Sequence, residues 1–196
     1  MYMNIGLYFG SFNPIHTGHL IIANHILNET SIQKIWFIVS PQNPFKKSDT
    51  LLNEYDRLHL VQKAIGDDNR LRASDIEFTL PRPSYTVHTL AYLKEKYPSY
   101  QFSIIMGSDG FQNLGKWKNS EVIVSNYPII IYKRPGYNID NQLNAAIAVM
   151  DAPLLEISAT YIRELAKAGK SIKYLVPDPV EEEITNYGFY KKLQKK

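Results

Sequence analysis

Short apolar runs alternate with helical segments along this chain, and that alternation constrains the fold more than any other feature. The runs at residues 4–9, 34–39 and 101–106 are apolar at most positions, which is typical of strands buried on both faces. Loops and segments of helical periodicity separate them. This order predicts an α/β fold, in which helices flank a doubly wound, Rossmann-like parallel sheet.

Weaker signals extend this pattern toward the C-terminus. After residue 133 the strand signal thins, so we expect one domain over residues 1–196, with the sheet core in about 1–133 and a small helical extension in 134–196. Further strands are predicted at residues 71–75, 128–133 and 154–157, and helices at 19–30, 54–65, 86–97, 162–168 and 179–186.

Composition excludes several classes of protein and of site. The chain has no cysteine, which excludes disulfides, thiolate catalysis, Fe–S clusters and cysteine-ligated zinc. The net charge is only +3, and no basic stripe is interleaved with aromatic residues, so we expect no nucleic-acid partner. No apolar run approaches the roughly 20 residues of a membrane span, and residues 1–9 lack a signal-peptide pattern. We therefore expect a cytoplasmic protein with no membrane partner.

The loop after the first strand carries the densest set of candidate functional residues. Residues 10–20 read GSFNPIHTGHL. In doubly wound sheets the ligand binds beyond the carboxyl ends of the strands, where loop amides and a helix N-terminus suit a phosphate. His16 and His19 can face one ligand, and Gly18 between them leaves room for a base or phosphate. Solvated turn histidines and a metal pair are alternatives, but His-x-x-His without a third ligand indicates zinc only weakly.

With its flanking strand and helix, this loop resembles the HxGH nucleotidyltransferases, an α/β superfamily that also contains the class I tRNA synthetases. Residues 157–163, ISATYIR, resemble the ISxTxxR phosphate motif of small adenylyl- and cytidylyltransferases. Residues 83–90, PSYTVHTL, and the segment from GSD at 107–109 to LGKWK at 114–118 resemble bacterial nicotinate-nucleotide adenylyltransferases. The resemblance covers nearly the whole chain. Ser11, Asn13 and Ala159 stand where that family commonly has Thr, Asp and Ser.

The resemblance implies adenylyl transfer from ATP to nicotinate mononucleotide, giving deamido-NAD and pyrophosphate in NAD biosynthesis. The attacking phosphate monoester has a second pKa of about 6, so it is already ionised at neutral pH and needs no general base. Catalysis then depends on aligning two anions and neutralising their charge, so we expect cations and N–H donors instead of a Ser-His-Asp triad. Mg²⁺ would arrive with ATP, and no metal site made by the protein is expected.

The resemblance also implies which residues bind ATP. His16, His19 and Arg163 would hold the phosphates as catalytic residues, and Lys46, or its neighbour Lys47, would reach them from the loop after the second strand. The other ATP-binding residues lie in loops or at the starts of helices. They are Gly10, Ser11 and Phe12 through their amides, Gly18, Gly107, Asp109 as a ribose partner or metal contact, and Ser158 and Thr160 through their hydroxyls.

A second group would bind nicotinate mononucleotide. The Thr86 hydroxyl and the Val87 amide, at the start of a predicted helix, would hold the nicotinate carboxylate with the Lys118 amide as a third donor. Trp117 would stack on the pyridine ring, and Tyr85 would complete the site. A carboxylate gains more from such donors than a carboxamide does, so preference for the acid is expected.

Other functions remain as alternatives. The acceptor could be nicotinamide mononucleotide, phosphopantetheine or a choline-type phosphate, although the segments at 83–86 and 107–117 weigh against the last two. A nucleotide sensor without turnover would not need the intact phosphate-binding set. A GxxxxGK match at 110–116 is a chance one, because Trp117 stands where a P-loop needs Ser or Thr. The expected small-molecule partners are ATP and nicotinate mononucleotide, and assembly into a homo-oligomer is left open.

Overall fold

The computed structural model describes residues 2–42, 51–153 and 156–191. Six strands form a single sheet in this part of the chain, and every neighbouring pair is parallel. The predicted α/β class with a parallel sheet is therefore confirmed. The strands are β1 (Met3–Gly10), β2 (Lys34–Val39), β3 (Leu71–Ser74), β4 (Tyr100–Gly107), β5 (Ile129–Tyr132) and β6 (Ile147–Met150).

Helices cover both faces of the sheet. Strand side chains alternate between the faces, so Ile35 and Phe37 of β2 join one apolar cluster while Trp36 and Ile38 join the other. The helices are α1 (Thr17–Glu29), α2 (Glu54–Ile65), α3 (Thr86–Lys96), α4 (Ser108–Phe111), α5 (Ser120–Asn126), α6 (Ala159–Lys167) and α7 (Asp178–Asn186). The first cluster is covered by α1, α2, α6 and α7, and the second by α3, α4 and α5.

The strand order β3-β2-β1-β4-β5-β6 reverses direction between β1 and β4. The chain builds outward from β1 to β3 and then crosses to β4 on the other side of β1. Because all strands are parallel, the loops after β1 and β4 leave the sheet side by side. This reversal point is where ligands bind in open α/β sheets, so the loops beginning after Gly10 and Gly107 are the ones to examine.

Two features of the C-terminal part differ from the sequence-based expectation. The sheet continues past residue 133, because β6 pairs with β5 through Ile147 and Met150. This edge strand was not predicted, since half of its positions are exposed and one is alanine, which weakens the strand signal. The strand predicted at 154–157 is wrong where the structure describes it, because Glu156 and Ile157 are not in a strand, while 154–155 lie outside the described residues.

The helices of the described residues are all too short or too polar to cross a membrane. The longest, α1, has 13 residues.

Candidate active site

The loop after β1 is folded tightly around its aromatic residue. Phe12 has a φ of 45°, in the left-handed region, and its ring is buried. The ring folds back over Gly10, where a Cβ atom would lie 2.7 Å from it. A side chain at position 10 would therefore displace the ring, which explains why a glycine ends β1 at the mouth of the site.

Arg57 of α2 braces this loop from inside the protein. Its guanidinium is fully buried and donates to four backbone carbonyl oxygens. These belong to Ser11 at 2.6 Å, Ser40 at 2.7 Å, Leu52 at 2.9 Å and Pro41 at 3.0 Å. Burial lowers the pKa of Arg57, but the side chain stays charged at neutral pH. One buried cation thus joins the loops that follow β1 and β2.

His16 and His19 stack against each other where α1 begins. The ring centroids are 3.8 Å apart, and the His16 backbone N–H donates to Nδ1 of His19 at 3.2 Å. His16 is buried, and its Nδ1 has no hydrogen-bond partner among the described residues. Burial, helped by the positive charge of Arg134, lowers the pKa of His16 to about 4. The His16 imidazole is therefore neutral at pH 7 in the free protein.

Gly18 makes room for the His16 ring. A Cβ atom at position 18 would lie 3.1 Å from Nδ1 of His16. Gly18 is buried and is not among the residues that line the cleft described below. In the free protein its close neighbour is the His16 imidazole, and the approach of a base or phosphate to Gly18 stays a prediction. Because α1 begins at Thr17, two residues earlier than expected, Gly18 lies inside the first helical turn.

Arg163 projects from α6 toward the same loop. Its Nη1 donates to the Asn13 carbonyl oxygen at 2.8 Å, and its Nη2 donates to the Thr160 hydroxyl at 3.1 Å. The helix begins at Ala159, earlier than the expected residue 162, because the Ser158 hydroxyl caps it by accepting from the Tyr161 amide at 3.1 Å. Arg163 consequently lies in the second turn and not in the first, as the sequence had suggested.

Asn13 holds three segments together. Its side-chain oxygen accepts from the Leu52 amide at 3.2 Å and from the Tyr190 hydroxyl at 2.9 Å, while its carbonyl oxygen accepts from Arg163. An amide oxygen is sufficient for both side-chain bonds. Asn13, which stands where the resembled family commonly has Asp, can therefore make these contacts, because they need an acceptor and not a charge.

Arg134, just after β5, is a cleft residue that sequence reasoning missed. Its Nε lies 3.3 Å from Oδ1 of Asp109, and its Nη2 donates to the Tyr132 hydroxyl at 3.2 Å. Its backbone amide donates to the Ser108 hydroxyl at 2.9 Å. Burial acts to lower the pKa of Arg134, but Tyr132 and Asp109 outweigh it and raise that pKa. Its place at the carboxyl end of a strand was the available signal.

Gly107 provides the space for this ion pair. A Cβ atom there would collide with the Asp109 carboxylate and lie 3.0 Å from Nε of Arg134. Like Gly18, Gly107 does not line the cleft but leaves space for side chains that do.

These elements enclose a cleft of about 620 Å³ at the carboxyl edge of the sheet. The two histidines reach it from the start of α1, Arg163 from α6 and Arg134 from the loop after β5. Its walls combine three loops with the start of α6. The lining residues are Tyr8, Phe9, Gly10, Ser11, Phe12, Asn13, His16, His19, Leu51, Asp109, Tyr132, Arg134, Ile157, Ser158, Ala159, Thr160 and Arg163.

A smaller pocket of about 130 Å³ shares Phe9 and Gly10 with the cleft. Four of the five residues expected to bind the pyridine nucleotide line it, and Val87 does not. Lys118 Nζ lies 4.6 Å from the centroid of the Tyr85 ring. The remaining lining residues were not anticipated from the sequence, apart from Gly10. The full lining is Phe9, Gly10, Ser40, Gln42, Glu77, Ser84, Tyr85, Thr86, Trp117, Lys118 and Ile123.

Comparisons with known proteins identify the family. Residues 7–165 match the family model described as cytidylyltransferase-like. A protein of Flavobacterium psychrophilum named "probable nicotinate-nucleotide adenylyltransferase" is 52% identical over 97% of this chain and 100% of its own length. One of Cytophaga hutchinsonii with the same name is 51% identical over 96% of this chain and 98% of its own. This chain belongs to the nicotinate-nucleotide adenylyltransferase family.

A solved structure shares the fold at lower sequence identity. Plasmodium falciparum nicotinic acid mononucleotide adenylyltransferase, complexed with NaAD, has a TM-score of 0.81 at 23% identity, covering 96% of this chain and 98% of that chain. The nucleotidyltransferase type of fold predicted for this chain is thereby confirmed. The family is established independently by the relatives at about half identity.

The two lysines expected to reach the phosphates, Lys46 and Lys47, lie outside the described residues. Among the residues that are described, no cluster of three or more His, Asp or Glu side chains could hold a metal ion.

Proposed function

We propose that this protein transfers the adenylyl group of ATP to nicotinate mononucleotide, forming deamido-NAD and pyrophosphate. The observation that carries the proposal is the meeting of two cavities at Phe9 and Gly10. The cleft of imidazoles and guanidinium groups suits a triphosphate, and the small pocket with Trp117 suits a pyridine ring. The two reacting phosphates would then meet at the end of β1.

The chemistry needs binding and alignment more than proton transfer. An ionised oxygen of the mononucleotide phosphate attacks the α-phosphorus of ATP, and the bond from that phosphorus to the bridging oxygen breaks. Pyrophosphate leaves with the electron pair, so no protein side chain has to accept a proton. Since His16 is neutral when the site is free, its ring acts as an N–H donor, and Arg163 and Arg134 supply the positive charge.

The remaining ATP contacts follow the cleft lining. The amides of Ser11 and Phe12 face the α-phosphate region, and the Thr160 hydroxyl lies beside the Arg163 guanidinium. Asp109, which is paired with Arg134, accepts from a ribose hydroxyl. Mg²⁺ enters on the ATP phosphates, because Mg²⁺ keeps its waters and binds substrate oxygens readily. The reaction belongs to NAD biosynthesis, and a cytoplasmic location stays a prediction.

The smaller pocket selects the acid form of the pyridine. Thr86 opens α3, so its hydroxyl and the first free amides of the helix, including that of Val87, face a carboxylate at the positive end of the helix. Lys118 lies beside Tyr85 at the same pocket, and the Trp117 ring stacks on the pyridine.

An assay with two matched acceptors tests the proposal. ATP and Mg²⁺ are supplied with either nicotinate mononucleotide or nicotinamide mononucleotide, and pyrophosphate and dinucleotide are both quantified. We expect equimolar pyrophosphate and deamido-NAD with the acid, and a turnover at least about tenfold lower with the amide. Preference for the amide contradicts the assignment of the α3 pocket. Binding of ATP with no pyrophosphate from either acceptor would favour a nucleotide sensor.

A further inference from the structure

Glu77 is a buried carboxyl group in the wall of the smaller pocket. It lies in a 3₁₀ turn, Ile76–Thr79, and only 2% of the residue is exposed. None of the ion pairs among the described residues includes it. A buried carboxyl group is costly unless hydrogen bonds satisfy it, so its partners indicate what it does.

Three hydroxyl groups donate to this carboxyl. Ser84 Oγ donates to Oε2 at 2.8 Å, and Thr89 Oγ1 donates to Oε1 at 2.8 Å. The hydroxyl of Ser40 is the third partner. Burial raises the pKa of Glu77, and the hydrogen bonds from the three hydroxyls oppose that increase. Each carboxyl oxygen therefore has its own donor, and these two donors lie at the two ends of residues 84–89.

The donors belong to the segments that build the pocket. Ser40 follows β2, Ser84 ends the loop before α3, and Thr89 lies one turn into α3. Tyr85 and Thr86, which line the pocket, lie between the two closest donors. The carboxyl group thus fixes the chain on both sides of the residues that face the pyridine.

We propose that Glu77 is a positioning residue that sets the acid selectivity of the pocket. By holding Ser84 and Thr89, it aims the N-terminus of α3 at the nicotinate carboxylate. This inference rests on the proposed function, because it concerns the same pocket and substrate. Glu77 acts through Thr86 and its neighbours and does not itself bind the substrate.

Charge repulsion would give Glu77 the opposite effect on substrate binding. A carboxylate close to a bound nicotinate repels it, so a Glu77 that merely lies nearby would weaken acid binding. Removing its charge would then tighten binding. Positioning predicts the opposite result, because a glutamine at this site presents an NH₂ group where one of the hydroxyls now donates. That hydroxyl must turn, and the start of α3 loses its orientation.

The test compares E77Q with the wild type and with E95Q, a matched change at an exposed residue of α3. We expect E77Q to raise the KM for nicotinate mononucleotide about five- to tenfold, the size expected for one lost hydrogen bond, with the KM for ATP unchanged. The ratio of acid to amide turnover should fall, because the amide depends less on the helix N-terminus. E95Q should match the wild type in every parameter.

Further variants keep the result interpretable. T89V and S84A each remove one donor while leaving the carboxyl group, and both should raise the same KM in the same direction. Calorimetric titration of each variant with nicotinate mononucleotide gives the affinity independently of turnover. Unchanged or tighter binding of the acid by E77Q, T89V and S84A overturns the positioning role. A wild-type protein that binds the acid but releases no pyrophosphate would instead count against the proposed function alone.

Discussion

Arg163 Nη1 donates to the carbonyl oxygen of Asn13 over 2.8 Å, although the two residues are 150 positions apart in the chain. This bond joins α6 to the loop that follows β1. It also holds the guanidinium in the cleft that His16 and His19 line. The bond from Nη1 thereby positions Nη2, which donates to the Thr160 hydroxyl.

The planar fork of Arg163 predicts that lysine cannot replace it. R163K keeps the charge but cannot reach the Asn13 carbonyl, the Thr160 hydroxyl and a phosphate together. We expect kcat to fall about 10²-fold, the effect of losing one preorganised donor. Steady-state kinetics with ATP varied measures this loss. The surface variant R70K serves as the control, and an R163K enzyme as fast as R70K would contradict the role.

Replacing Arg57, which does not line the cleft, should lower the stability of the protein strongly. R57M fills the space but leaves four carbonyl oxygens without their donor. Each unsatisfied buried group costs about 1–3 kcal/mol, so we expect the free energy of unfolding to fall by about 3 kcal/mol or more. Urea denaturation measures the change, with exposed Arg70 changed to Met as the comparison. An equal effect of the two substitutions would show that Arg57 does not brace the loops.

A side chain at position 107 should clash with the ion pair between Asp109 and Arg134. In G107A the new Cβ atom displaces the Asp109 carboxylate from Arg134. We expect the KM for ATP to rise roughly tenfold or more, because one charge-assisted contact is misplaced. Initial rates at varied ATP test this. G115A is the control, since a Cβ atom at Gly115 meets no atom within 4 Å. Similar kinetics for both variants would contradict the account of Gly107.

His16 predicts how stability depends on pH. Its pKa is lowered from 6.5 to about 4 in the folded protein, mainly by burial. Between these values the unfolded chain binds the proton and the folded protein does not, so the free energy of unfolding decreases as pH falls. The total contribution of this residue is roughly 3 kcal/mol, present above pH 6.5 and lost by about pH 4.

Urea denaturation at a series of pH values measures this dependence. H16N removes the titrating group, so its stability should fall less steeply than that of the wild type between pH 6.5 and 4. H88N, at an exposed position of α3, should keep the wild-type slope. Parallel wild-type and H16N curves would mean that the His16 ring is not buried as the structure has it.

Some elements were predictable because their signals are local. The helix over residues 54–65 was predicted with its observed bounds, because Asn53 caps it through the Tyr55 amide at 2.9 Å and Gly66 ends it with a φ of 52°. Strand β2 was also predicted with its observed bounds, since five of its six residues are buried. The four-residue edge strand β6 has neither caps nor a buried run, and it was missed.

The residues of the candidate site were likewise predictable only where a local sequence motif contains them. The histidines and Arg163 belong to motifs, so the sequence indicated them, although their roles stay predictions. Arg57 and Arg134 could not be singled out by local pattern. Arg57 binds carbonyl oxygens up to 46 residues away, and its helical position is that of an ordinary surface arginine. Arg134 gains its meaning from Asp109, which is brought beside it only because β4 and β5 are neighbours.

Direct transfer between two aligned substrates requires that ATP react only when the second pocket is filled. The exchange of radiolabelled pyrophosphate into ATP tests this most directly. With enzyme, ATP, Mg²⁺ and pyrophosphate alone, we predict no label in ATP, and with nicotinate mononucleotide added we predict rapid exchange by reversal of the reaction. Exchange without the mononucleotide would mean that a side chain carries the adenylyl group, and this would contradict direct transfer.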